Sequence, residues 1–262
     1  MIYHTPDMNV YLSPERIHTN NLSLFYLPSI RRITTSIGNP PSTFTWPGSD
    51  RPNPNTLRYL DLTMIREAHL GTILQATQYL TTLHWDWYYR EDLEDHAVTP
   101  VVDLDKISAA LINVRLTLEN LTILAATDVA AALPEYPTVE TSGSLKALAG
   151  FDRLKALKIP LPFLLGLSPT DTARQSLKEL IPKNLDILTI TDDLCPEEEC
   201  SGFDDMLLQA IRQWLADWKT SNPCLRQIHI VLQECRLDWQ PSMGLIGELC
   251  SQVGVKSRIT MR

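Results

Sequence analysis

His84 and Asp86 have the types and spacing for acid–base chemistry. They stand one residue apart in the run His84-Trp85-Asp86-Trp87-Tyr88-Tyr89, and the two-residue period of a strand puts both side chains on one face. Asp61, on a neighbouring predicted strand, adds a carboxylate. Catalysis needs more than this: a base aimed at a nucleophile and a stabiliser of developing charge. No Ser or Cys nucleophile is identifiable beside the pair. The chain also has no Gly-x-Gly-x-x-Gly, phosphate loop or His-Glu-x-x-His. The sequence reads as noncatalytic, with an enzyme built on His84 and Asp86 as the remote alternative.

Metal chemistry is read the same way. Cys195, Cys200, Cys224, His229 and Cys235 follow one another at loose intervals, whereas zinc prefers tight Cys-x-x-Cys pairs with a matching second pair. No metal and no cofactor are expected. Cys195 and Cys200 read as loop thiols flanking Pro196-Glu197-Glu198-Glu199, and in Thr191-Asp192-Asp193 the acids read as caps on backbone amides at a strand end. With Cys250 the cysteines number five, an odd count without framework spacing, so reduced thiols in an intracellular setting, cytoplasmic or nuclear, are expected. Met1 to Asn20 has no apolar signal core, and no run reaches the ~18–20 apolar residues of a membrane helix. The net charge of −8 and pI near 5.2 argue against a nucleic-acid partner.

The elements that must position these residues come from internal repeats. Seven segments share the spelling Leu-x-x-Leu/Ile-x-apolar: Leu27-x-x-Ile30 continuing to Ile33, then those starting at Leu57, Leu80, Leu118, Leu154, Leu185 and Leu225. The fourth and sixth positions alternate like a short strand, and the first leucine packs where the chain turns into it. Parallel pairing of successive strands needs crossovers of a dozen or more residues, and the intervening segments supply them. Helices are predicted over 67–79, 103–116, 203–219 and 241–253, with a last short strand around Arg258-Ile259-Thr260.

The expected fold is α/β: a leucine-rich-repeat solenoid, or horseshoe, with parallel strands on the concave face and helices and irregular crossovers on the convex face. A single domain covers 1–262, with an irregular N-terminal cap over 1–26, repeats over about 27–240 and a C-terminal cap over 241–262. Long loops are expected at 35–54 (proline-rich), 90–100 and 194–202 (both acidic). Residues between the strand leucines face the concave side, which gives Tyr59, Asp61, His84, Asp86, Lys158 and His229 as candidate partner contacts. Trp87 and Tyr88 join them because interfaces favour Trp and Tyr.

From Leu154 to Leu194 the chain resembles a known family. Leu154-Lys155-Ala156-Leu157-Lys158-Ile159-Pro160-Leu161-Pro162-Phe163-Leu164-Leu165-Gly166, Leu180-Ile181-Pro182-Lys183-Asn184-Leu185 and Leu188-Thr189-Ile190-Thr191-Asp192-Asp193-Leu194 resemble the leucine-rich region of fungal F-box proteins. The resemblance implies a substrate-recognition receptor for a cullin-type ubiquitin ligase, whose F-box grips the Skp adaptor. An F-box would occupy about 40 residues before the repeats, and Met1 to Tyr26 is too short and polar to supply one. The Skp adaptor is therefore a partner only if an F-box lies upstream. The expected role is a protein–protein interaction scaffold with an unidentified protein ligand on the concave face.

Overall fold

Each leucine hexapeptide delivers one strand, and the strands line up by their shared spelling. The computed structural model describes residues 2–4, 21–40, 43–90, 98–128, 139–166, 176–195, 202–234 and 239–262. Nine of the strands form one open sheet: β1 (Ile2–His4), β2 (Arg32–Ser36), β3 (Tyr59–Thr63), β4 (Thr82–Arg90), β6 (Asn120–Asp128), β8 (Ala156–Pro160), β9 (Ile187–Thr191), β10 (Gln227–Leu232) and β11 (Lys256–Met261). They lie in chain order and every pair is parallel. The crossovers add a pair that the repeats do not announce, β5 (Val101–Asp103) with β7 (Glu140–Ser142).

The register stacks equivalent hexapeptide positions. Ile33, Leu60, Leu83, Leu121, Leu157, Leu188 and Ile228 form one row across the sheet, none more than 1% exposed. Burying each such side chain contributes roughly 1.5–3 kcal/mol, so the row is a main source of stability. A second signature repeats at the strand entries. The carbonyls of Arg31, Arg58, Thr81, Glu119, Lys155 and Asp186 each accept hydrogen bonds from two successive backbone amides of the next unit. The units are equivalent in backbone geometry as well as in spelling.

Helices cover one side of the sheet. Leu70, Ile73 and Leu74 of Glu67–Ala76, Ile107 and Leu111 of Leu104–Leu111, and Ile211 and Trp214 of Phe203–Leu215 join the strand leucines in one continuous core. Leu104–Leu111 starts where predicted, because the Asp103 carboxylate accepts the Lys106 amide at 2.9 Å. Gln240–Val253 ends at Gly254, whose φ of 81° suits the left-handed stop. The helix expected over 203–219 breaks after Leu215 and resumes as Trp218–Ser221.

Two expectations need correction. In the first repeat Ile30, fully buried, holds the leading position and Leu27 is 38% exposed. The chain turns at Pro28-Ser29, where Ser29 has φ 64°, which shifts the unit by three residues. The cap over 1–26 is not wholly irregular, since β1 pairs with β2 and Ser23–Tyr26 forms a 3-10 turn. The proline-rich loop is pinned to that turn: Trp46 packs on Phe25 at 5.4 Å and the Tyr26 hydroxyl donates to the Asp50 carbonyl. Residues 91–97 and 196–201, which hold the acidic parts of the other two long loops, lie outside the described residues.

Candidate functional site

The helices leave the other side of the sheet uncovered. Burial alternates along each strand, as in Tyr59–Thr63, where Leu60 and Leu62 are buried and Tyr59, Asp61 and Thr63 are half-buried. The parallel register carries the alternation from strand to strand. Asp61 lies beside His84, His84 beside Thr122, Thr122 beside Lys158, and the row continues through Thr189 and His229 to Arg258. Tyr59, Asp61, His84, Asp86, Tyr88, Lys158 and His229 therefore share one face. Trp87 does not. It is wholly buried, with the Arg66 guanidinium 4.4 Å from its ring centroid, because residues 85, 87 and 89 point into the core. The expectation of Trp87 as a partner contact is overturned, because strand period and not aromatic type sets its side of the sheet.

The acidic end of the row is a coupled group. His84 Nδ1 lies 3.5 Å from Asp61 Oδ1, and the Tyr59 hydroxyl is 3.5 Å from Asp61 Oδ2. Arg32 stacks on the Tyr59 ring at 3.8 Å. The hydrogen bond with Asp61 raises the His84 pKa above its ordinary value against the opposing effect of burial. Burial raises Asp86, while His84 pulls it back. At the other end burial, with Arg258 and Lys158 nearby, lowers His229, whose Nε2 is 2.9 Å from the Thr260 hydroxyl.

These shifts predict two histidine titrations of opposite sign. In proton NMR, His84 should titrate above pH 6.5 and His229 below it, and Asp61→Asn should return His84 toward 6.5 while leaving His229 in place. Since the folded pKa of His84 is the higher one, its contribution to stability is complete below the unfolded value and disappears as pH rises through the folded value. The pair is part-exposed, so the contribution is at most about 1 kcal/mol.

No family model, curated protein or solved structure matches this chain. Two acids, two histidines and a lysine sit on an open face. A cavity of about 360 Å³ lies elsewhere, between the Phe25–Ser29 turn and residues 48–56, and none of the candidate residues lines it.

Other chemistry-bearing residues are dispersed. Among the described residues no three His, Cys, Asp or Glu side chains are grouped to hold a metal, and no helix is long and apolar enough to cross a membrane. Cys200 and Cys235 lie outside the described residues. Cys224 is exposed, whereas Cys195 and Cys250 are buried, and burial pushes the Cys250 thiol up to about 11. Alkylation at pH 8 followed by peptide mapping should label Cys224 rapidly and Cys250 only after denaturation, because the thiolate is the reactive form. Fast labelling of native Cys250 would contradict this burial.

Sequence reasoning placed Asp192 and Asp193 as amide caps, and both do this work at long range. Asp192 Oδ2 accepts the Gln233 amide at 2.8 Å, and Asp193 Oδ2 accepts the Ala125 amide at 3.3 Å. Pro160 ends β8 and lacks an amide, the β6–β8 ladder stops at Thr122 and Lys158, and Asp193 supplies the acceptor for Ala125. Arg262 pairs with Asp193 from the far end of the chain. The buried Arg66–Glu67 pair and Asn222 were not recognised from sequence; neither belongs to a repeating pattern.

Proposed function

We propose that this chain is a noncatalytic protein-interaction scaffold, a leucine-rich-repeat solenoid whose uncovered sheet face is the binding surface. The observation that carries the reading is the repetition of one junction, a carbonyl accepting two successive amides, at six strand entries in register with the leucine rows. Identical units related by a constant step build a solenoid. Curvature follows from size: strands are spaced ~4.8 Å apart and helices are ~10 Å wide. With helices on one side, the strand side is the inner, concave one. A concave face with mixed polar side chains, whose candidate residues take no part in the cavity at Phe25–Ser29, favours a macromolecular ligand over a small substrate.

The resemblance of Leu154 to Leu194 to fungal F-box proteins gives the role a direction, substrate recognition for a cullin-type ubiquitin ligase. The test is affinity purification of the tagged native gene product, wild type beside a Thr122→Trp/Thr189→Trp variant that fills the face. Partners present with the wild type and lost with the variant support the scaffold. The Skp adaptor and a cullin on a heavier polypeptide would make these residues the receptor part of a ligase. A partner set indifferent to the variant would refute binding through this face.

A further inference from the structure

We propose that the uncovered face takes an extended peptide that crosses the strands, with a basic side chain against Asp61 and Asp86 and acidic side chains against Lys158 and Arg258. The inference rests on the scaffold reading and names the partner's chemistry.

The first argument is how charges are distributed. Off the face several charges are paired within the chain: Glu119 with Arg153 and Lys155, Lys178 with Asp217, Arg226 with Asp186, and Lys146 with Glu179. On the face Asp61 is met by His84, and the other charges are held apart. Lys158 and Arg258 have no ion pair among the described residues, and Asp86 Oδ1 is shielded from solvent without a hydrogen-bond donor. Burial without an ion pair disfavours the charged Asp86 carboxylate, and a ligand's ammonium or guanidinium held over the face offsets that through its field without touching the shielded oxygen. His84 pairs with Asp61 when protonated and above its pKa leaves both acids unbalanced.

The second argument is distance. Asp61 and Lys158 are three strands apart in register, and Lys158 and Arg258 are three more. At ~4.8 Å per strand each interval is ~14 Å, which an extended peptide covers in about four residues at ~3.3 Å each. Four is an even number, so residues i, i+4 and i+8 of the peptide point to the same side and all three reach the face. Between the charges the row holds His84 and Thr122, then Thr189 and His229, and at the two threonines short hydroxyl side chains leave room for a backbone and can hydrogen-bond to it. The ligand pattern is one basic residue, then an acid four residues on and another eight residues on, read in either chain direction.

The experiment is selection of a phage-displayed random 12-residue library on the full chain, with the resulting peptides measured by fluorescence anisotropy. The expected consensus is Lys or Arg with Asp or Glu at +4 and +8 or, in the reverse direction, at −4 and −8. Asp61→Asn/Asp86→Asn and Lys158→Glu/Arg258→Glu should each weaken binding at least tenfold, with circular dichroism unchanged. Asp61→Lys/Lys158→Asp should prefer the peptide of reversed charge. Selected peptides that lack this order but are still blocked by Thr122→Trp would overturn the inference and leave the scaffold standing. Peptides indifferent to Thr122→Trp would overturn both. A library that yields no binder overturns the peptide proposal.

Discussion

Arg66→Met is expected to cost about 3–5 kcal/mol of folding free energy, the range for breaking a buried ion pair from one side. Arg66 is wholly buried and every arm of its guanidinium is used, with Nη1 reaching the Tyr88 carbonyl at 3.5 Å. Nε donates to Glu67 Oε2 at 2.9 Å, and Nη2 donates to Glu67 Oε1 at 3.1 Å and to the carbonyls of Thr99 and Val101 at 3.1 and 3.2 Å. Its plane also faces Trp87. Met fills similar volume but leaves the Glu67 carboxylate and the Thr99 carbonyl without these donors, and the Val101 carbonyl with the Thr99 hydroxyl at 3.4 Å. Glu67→Gln should cost less, because Arg66 keeps its carbonyls and the ring. Arg66→Lys should not rescue, since an ammonium cannot bond Glu67 through two arms and reach two carbonyls as well. Arg66→Met/Glu67→Leu should recover part of the loss by removing the stranded charge. Urea denaturation of the four variants measures the order; an Arg66→Met loss below about 1 kcal/mol would contradict the burial that this structure gives the pair.

The repeats were legible because their signal is periodic and summed over many residues. Leu60, Leu83, Leu121, Leu157 and Leu188 each carry little information, and the common spacing carries the rest. The same period placed Asp61, His84, Asp86, Lys158 and His229 on one face. Where two spellings fitted, as with Leu27 and Ile30, the period could not choose, and the turn at Pro28-Ser29 decided. Trp87 was misassigned although the alternation that buries Trp85 buries it too. What sequence could not reveal were single polar residues whose partners are far along the chain. Asp193 meets Ala125 across 68 positions, and Arg66 meets Val101 across 35. Such contacts leave no period and follow only from the completed fold.

Asn222→Leu is expected to cost about 2–4 kcal/mol, because it strands several buried polar groups at once. Asn222 is fully buried. Its Oδ1 accepts the Trp214 indole N–H at 2.6 Å, and its Nδ2 donates to the carbonyls of Ile181 and Pro182 at 3.2 and 2.8 Å. The side chain thus ties the helix Phe203–Leu215 to the turn that leads into β9, and so fixes that crossover against the strands on either side of Thr189. Leu can match the volume, but it satisfies none of the three partners. Trp214→Phe supplies the control: with the indole donor gone, Asn222→Leu should cost about 1 kcal/mol less than in the wild type. Asn222→Asp tests the polarity. Its ionised carboxylate still accepts from Trp214 but faces two carbonyls, and burial raises its folded pKa above the unfolded ~3.9. The penalty is therefore complete above the folded pKa and is relieved as pH falls through it, when the protonated acid can donate to one carbonyl. Urea midpoints for Asn222→Asp should approach those of the wild type from pH 7 to pH 4. A gap that stays constant over that range would mean that Asn222 contributes shape alone.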